Sequence, residues 1–337
     1  MSTHRAVHVN SAGAPLELVD VETVPPRRDE VRLTVSACGI CGTDAHFVSG
    51  AFPGMSWPFT PGHEIAGKIA ELGDGIEGFA VGDRVAVGWF GGCCYHCDPC
   101  RKGIFIHCVN GKVPSWQYPG GYAESVTVPV SALARIPDGL SDAEAAPMGC
   151  AGVTTYNALR HTKALPGDRV AILGVGGLGH LGVQFARAMG FETIAIARGT
   201  GKADDAKKLG AHHYIDSTSG DVSAALQALG GATVVLGTAG NSKAMADTVG
   251  GLAPQGELVT IGVTPEPLPI SPLQLINSGL SIVGHPSGTA KDIEDTMQFA
   301  VLSGVRAWIE ELPLSRAAEG YQALEQGRAH YRTVLTM

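Results

Sequence analysis

The middle of the chain is built from short apolar runs separated by longer segments of helical period. The runs are RVAILG (169–174), TIAIA (193–197), HHYID (212–216), TVVLG (233–237), ELVTIG (257–262) and LSIVG (280–284). A compact run bounded by glycine or proline reads as a strand covered on both faces, as in a parallel sheet. Six such strands alternating with helices predict an α/β fold with a doubly wound parallel sheet. Directly after the first run comes GVGGLGHLGVQFARAMG, where Gly174, Gly176, Gly177 and Gly179 open a helix of apolar period. The pattern differs on either side. Residues 1–150 carry short β-like runs such as EVRLTV (30–35), DRVAVG (83–88) and AESVTV (123–128), broken by glycine and proline. After Pro286 come a helical stretch near 291–303 and a terminal strand. No internal repeat or low-complexity segment stands out.

Length and composition narrow the class. At 337 residues, 45% apolar and 17% charged, the chain is long enough for two domains with their own cores. A net charge of −8 argues against nucleic acid or an anionic membrane as the main partner. The opening stretch MSTHRAVHVNSAGAPLELVD holds no apolar run of signal-peptide type, and no run is long enough to span a bilayer. The expected location is the cytoplasm, where clustered cysteines stay reduced and signal metal or catalysis.

Five of the eight cysteines lie in GGCCYHCDPCRKGIFIHC (91–108). Cys94, Cys97, Cys100 and Cys108 follow Cys-x2-Cys-x2-Cys-x7-Cys, a spacing that closes a tetrahedral shell around zinc at a Zn–S distance near ~2.3 Å. A closed four-sulfur shell leaves no place for substrate, so the expected role is structural. Cys93 breaks the spacing, and a pair of disulfides is the alternative. The remaining thiols are Cys38 and Cys41 in SACGICGTDAH (36–46) and Cys150 in APMGCAGVTTY (146–156). His63 and Glu64 sit in TPGHEIAG (60–67). Two thiolates and an imidazole make an open three-ligand zinc set with a fourth position free for chemistry, although spacing alone does not bring these segments together.

The strand, glycine-rich turn and helix at 169–190 form a dinucleotide fingerprint, in which the glycines let the backbone approach a pyrophosphate at the helix N-terminus. The end of the next strand bears on cofactor choice. An NAD site carries an acid there for the ribose hydroxyls. Here the register gives Ala197 followed by Arg198, with Lys202 close by in IAIARGTGK. Charged hydrogen bonds to a 2′-phosphate are worth roughly 1.5–3 kcal/mol each, so NADP(H) is favoured over NAD(H). The alternative keeps Arg198 as a solvated residue or stacks it on adenine in an NAD site.

Taken in order, CGICGTDAH, PGHEIAG, the four-cysteine loop, GGYAE (120–124), APMGCAGVTTY and GVGGLG resemble the zinc-dependent medium-chain alcohol dehydrogenase family over essentially the whole chain. The resemblance implies a β-rich, GroES-like catalytic zinc domain over 1–150 and a six-stranded Rossmann domain over 151–285. A return to the catalytic domain over 286–337 would complete it. It implies that Cys41, His63 and Cys150 are the catalytic zinc ligands, with Glu64 an acid beside the metal and Asp44 a carboxylate that orients His63. Thr43 takes the place of the hydroxyl next to the reacting oxygen, and His46 that of a proton-relay histidine. Cys38 falls where the family has no ligand and reads as a small buried thiol. Leu178 joins the fingerprint glycines at the cofactor, Thr154 packs against the nicotinamide, and Arg332 stands near the pyrophosphate. Gly42 departs from relatives that often carry arginine or histidine there. Trp57, Trp89, Phe90, Trp116 and Tyr118 are candidates for the wall of an apolar substrate pocket.

The implied activity is reversible hydride transfer between a primary alcohol, aliphatic or aromatic, and NADP. Two zinc ions per chain and a homodimer or homotetramer joined through the nucleotide domain go with it. The alternatives are an NAD-dependent alcohol or polyol dehydrogenase, and a non-catalytic, zinc-stabilised redox-sensing protein. The last requires loss of an open-site ligand or of the glycine turn, and both are intact here.

Overall fold

The structure is a computed structural model that describes residues 2–337. The chain divides into two compact units. The first takes in the chain up to Val153, Gly288–Leu302 and Arg306–Met337, and the second Thr154–Ser287 and Ser303–Val305.

The first unit opens with an antiparallel hairpin of Thr3–Val9 (β1) and Leu16–Glu22 (β2). Glu30–Ile40 (β3), Ile65–Leu72 (β4), Arg84–Val87 (β5), Ser125–Pro129 (β6) and Ala134–Arg135 (β7) follow. β3 explains how the site is reached. Val31, Leu33 and Val35 alternate into the core, and then Ala37, Cys38 and Ile40 are all buried as the strand becomes central. It thereby delivers Cys41 into the interior. β4 begins straight after His63-Glu64 and pairs antiparallel with β3, with Cys38 opposite Ile65. That register holds Cys41 and His63 at the same end of the sheet. The hairpin is not conspicuous in the sequence, because LELVDVE places acids among its apolar residues and is mostly exposed.

In the second unit, Arg169–Leu173 (β8), Glu192–Ala197 (β9), His213–Asp216 (β10), Ala232–Gly237 (β11), Leu252–Thr260 (β12) and Ser281–Gly284 (β13) form one parallel sheet. Their order is β10-β9-β8-β11-β12-β13, the doubly wound arrangement that the apolar runs predict. Val170–Leu173 and Thr193–Ala197 are buried without alternation, as strands covered on both faces must be. The chain then returns to the first unit. Helix Ala290–Ser303 precedes Ile309–Pro313 (β14) and Arg332–Thr336 (β15), which complete a seven-stranded sheet. β15 lies between β14 and β3. Among the described residues, no helix is long and apolar enough to cross a membrane.

Candidate active site and nucleotide pocket

Within the first unit, one donor atom each from Cys41, His63, Glu64 and Cys150 lies within 4.8 Å of the other three. Cys41 caps the helix Gly42–Val48, and its backbone N–H donates to Asp44 Oδ2 at 2.9 Å. Cys150 follows a short turn, Ala146–Gly149, whose last carbonyl presses on Gly88. A Cβ at Gly88 would overlap that oxygen, so only glycine lets the segment carry Cys150 to within 3.9 Å of Cys41, sulfur to sulfur. Thr43 Oγ1 is 3.8 Å from Cys41 Sγ. His46 lies on the exposed side of the same helix, with Phe52 edge-on to its ring at 6.4 Å.

Asp44 organises the centre from complete burial. Its Oδ1 is 3.2 Å from His63 Nδ1, and its Oδ2 also accepts the Tyr122 hydroxyl at 2.9 Å. With Nδ1 engaged, His63 Nε2 is buried and has no hydrogen-bond partner. A buried ring nitrogen without a partner beside two thiols is what a soft, tetrahedral cation requires, so this donor set fits zinc.

The charges agree with a cation site. Cys150 hydrogen-bonds to Cys41 and, against burial, holds that thiol well below its usual range, while the same bond together with burial raises Cys150. Burial alone would lower His63, but Asp44 and Cys41 outweigh it and raise the imidazole. Burial pushes the Glu64 carboxyl up to about 7 against the pull of Arg332, whose guanidinium pairs with Glu64 Oε2. Cys38 stays outside the cluster, its thiol raised by burial and then by Asp44. The sequence reading sets Arg332 near a pyrophosphate without naming its partner. The structure buries it at 2% exposure on Glu64, with its Nε unpaired. Tyr122 is the other residue that the sequence reading left unassigned. Its signal was a tyrosine inside GGYAE, on an apolar strand edge where a buried hydroxyl needs a partner.

The second thiol cluster, Cys94, Cys97, Cys100 and Cys108, likewise falls within 4.8 Å, and Cys93 is not part of it. Cys108 Sγ lies 3.6 Å from Cys94 Sγ and 3.8 Å from Cys97 Sγ. The Cys94 N–H donates to Cys108 Sγ at 3.3 Å, and Asn110 Nδ2 donates to Cys94 Sγ at 3.4 Å. The Asn110 bond heads the causes that bring the Cys94 thiol down to about 5. N–H donors aimed at sulfur stabilise thiolate, and four thiolates fit a second zinc.

Aromatic rings crowd one side of His63. Trp89 stands edge-on to it at 5.6 Å and Phe47 lies at 6.1 Å. Phe52 and Trp116 pack at 4.9 Å beside them, and Trp57 meets Phe59 at 5.1 Å in the same cluster. Phe90 and Tyr118 stay outside. Phe90 is 6% exposed, and Tyr118 packs on the sheet core and donates to the Gly91 carbonyl at 3.0 Å.

In the second unit, a cavity of about 630 Å³ opens at the strand ends of the parallel sheet. Gly174, Gly176, Gly177 and Leu178 form one wall, and Ala197, Arg198 and Lys202 another. Gly179 starts the helix Gly179–Ala188, and a Cβ there would overlap the Gly174 carbonyl oxygen, so the turn can close only with glycine. Backbone N–H groups at this helix start suit a pyrophosphate. Among the described residues, the lining holds two cationic side chains and no carboxylate. Thr154 is 8% exposed on the helix Ala151–Arg160.

Comparison with known proteins agrees with both halves. Residues 27–138 match the alcohol dehydrogenase GroES-like domain, and residues 177–301 match the zinc-binding dehydrogenase family. An alcohol dehydrogenase of Penicillium expansum is 40% identical over 336 residues, covering 100% of this chain and 98% of its own. A cinnamyl alcohol dehydrogenase of Sorghum bicolor superposes with a TM-score of 0.91 at 28% identity over 99% of this chain and 98% of its own. The CAD enzyme of Helicobacter pylori, solved with NADP(H), superposes at 0.88 and 26% identity over 99% and 98%. The chain therefore belongs to the zinc-dependent medium-chain alcohol dehydrogenase family, as an oxidoreductase that interconverts small-molecule alcohols and carbonyls.

Proposed function

We propose that the protein is an NADP(H)-dependent alcohol dehydrogenase and aldehyde reductase for primary alcohols and aldehydes with bulky, apolar bodies, aromatic ones among them. The observation that carries the cofactor half is the cavity wall at Ala197, Arg198 and Lys202, which has no acid, an exposed Arg198, and a Lys202 whose ammonium donates to the Val175 carbonyl at 2.5 Å. The aromatic cluster beside His63 supports the substrate half, because flat rings favour an apolar, planar guest over a polyol.

Cys41, His63 and Cys150 would hold one zinc ion, Glu64 standing by, and Cys94, Cys97, Cys100 and Cys108 a second. When bound, the first zinc supplies Lewis-acid polarisation and the nicotinamide supplies or accepts hydride. The chain's own side chains do the rest. Asp44 and Tyr122 keep His63 in one orientation and tautomer. Thr43 Oγ1, close to Cys41, accepts the substrate hydroxyl proton in alcohol oxidation as it gives up its own outward, and the transfers reverse in reduction. His46, exposed on the same helix, hands that proton to water. Thr154 packs at the nicotinamide end of the cofactor. Arg332 holds Glu64 in the cluster through its buried guanidinium. We place the enzyme in a reducing compartment such as the cytoplasm, as a homodimer or homotetramer that runs mainly in the reductive direction.

Initial rates with NADPH and NADH, each against benzaldehyde, hexanal and acetaldehyde, test this reading. A charge-assisted phosphate contact predicts an NADPH preference of at least about ten-fold in kcat/KM. Benzaldehyde and hexanal should outrun acetaldehyde. An NADH preference overturns the cofactor assignment, and fastest turnover of acetaldehyde overturns the substrate assignment.

A further inference from the structure

The loop that carries Arg198 is held from the neighbouring strand. β9 ends at Ala197, and the residue paired with it on β10 is Asp216. Gly199, one residue past Arg198, is tied on both sides. Its N–H donates to Asp216 Oδ1 at 2.7 Å, and its carbonyl accepts the Tyr214 hydroxyl at 2.6 Å. The same Asp216 oxygen also accepts the Thr218 N–H at 2.8 Å and its hydroxyl at 2.7 Å. The Ser217 N–H donates to the Ala197 carbonyl at 2.9 Å, which locks the two strand ends together. An acid therefore does stand at this edge, one strand over from Ala197. It does not line the cavity, whereas Ser217 beside it does.

This tether has work to do. The segment ARGTGK has glycine at 199 and 201, so left to itself it would sample many conformations, and a ligand would have to order it on binding. Two short hydrogen bonds to Gly199 remove that freedom before the ligand arrives. They also occupy the Gly199 N–H, which leaves phosphate recognition to the side chains of the loop. We propose that Tyr214 and Asp216 are positioning residues for cofactor selection, which clamp Gly199 so that Arg198 is aimed at a 2′-phosphate without touching the cofactor themselves. The inference rests on the NADP(H) reading above and deepens it.

The experiment compares wild type with Tyr214→Phe, Asp216→Ala and Asp216→Asn. Calorimetry gives the affinity for adenosine 2′,5′-bisphosphate and for 5′-AMP, and kinetics give KM and kcat with NADPH and NADH. The clamp predicts that Tyr214→Phe and Asp216→Ala each weaken bisphosphate binding and raise the NADPH KM about three- to ten-fold, the worth of an ordinary hydrogen bond. Affinity for 5′-AMP, the NADH KM and kcat stay within about two-fold. Asp216→Asn keeps the accepting oxygen and stays near wild type. Equal losses for both nucleotides would reduce the clamp to an ordinary fold contact and overturn the proposal. Lost 5′-AMP and NADH affinity in Asp216→Asn would make Asp216 a reader of ribose hydroxyls and overturn it as well. A wild type that prefers NADH removes the cofactor reading and this proposal together. A wild-type NADPH preference that survives both Tyr214→Phe and Asp216→Ala removes the clamp alone.

Discussion

Asp44 receives three groups from three parts of the chain, the Cys41 N–H, the His63 ring and the Tyr122 hydroxyl, all out of reach of water. A carboxylate so placed acts on the metal through the imidazole it orients. Asp44→Asn should therefore lower both zinc affinity and kcat/KM by about 10- to 100-fold, read by metal analysis after dialysis and by steady-state kinetics. Tyr122→Phe removes one donor and leaves Asp44 Oδ2 short of a bond, a loss of about 1–3 kcal/mol visible in denaturant melts. At this scale the sequence was informative about type and silent about partners. Cys41, His63 and Cys150 were legible as a set through the resemblance of CGICGTDAH, PGHEIAG and APMGCAGVTTY to the family's motifs, and their donor atoms do lie together. The Glu64–Arg332 pair was not, since its members lie 268 positions apart and the resemblance sets one beside the metal and the other near the pyrophosphate. Nor was the tie between Asp44 and Tyr122, which depends on β-sheet geometry that spacing does not encode.

Among the elements, the four-cysteine loop has little apolar content, and its order rests on its thiols. Cys97→Ser should cut bound zinc from two to one per chain and lower Tm, while the Cys41 cluster keeps its ion, as metal analysis and calorimetry would report. The β1 strand gives a pH test. Burial lowers both His4 and His8 below the ordinary value of about 6.5. The unfolded chain therefore binds these protons first as pH falls. The stability they allow is fully present above about pH 6.5 and is lost as pH drops through the lowered folded-state values. Replacing both by glutamine should flatten the Tm profile between about pH 5 and 7. The inner parallel strands β8, β9 and β11 were legible almost to the residue, because burial on both faces leaves an unbroken apolar run, whereas β10 and β13 are only partly covered. β12 is the exception. It starts at Leu252, where Pro254, Gln255 and Gly256 interrupt the run and only ELVT reads as strand. The hairpin of β1 and β2 escaped notice for the opposite reason, since strands with one wet face carry polar residues that resemble loop.

At the scale of the molecule, both thiol clusters belong to one unit and the nucleotide cavity to the other. Zinc removal should thus be felt unevenly. After chelation, amide hydrogen exchange should accelerate in β3, in β4 and across residues 91–108, and stay slow in β8, β9 and β11. Uniform acceleration would mean that the metal sites govern the whole chain. Adding NADPH should protect the second group of strands, whether or not zinc is present.

The position of β15 has a consequence for how the protein is made. It is the last strand to emerge, yet it lies between β14 and β3, and it carries the arginine that pairs with Glu64. On the ribosome, the parallel sheet of residues 169–284 is already out and able to fold while the first unit still lacks the strand that pairs beside β3. Cys41 comes out early and waits for most of the chain to follow, and Cys150 for about half of it. Until residues 332–336 arrive, β3 lacks its partner along Ala37–Ile40, the stretch that leads directly into Cys41.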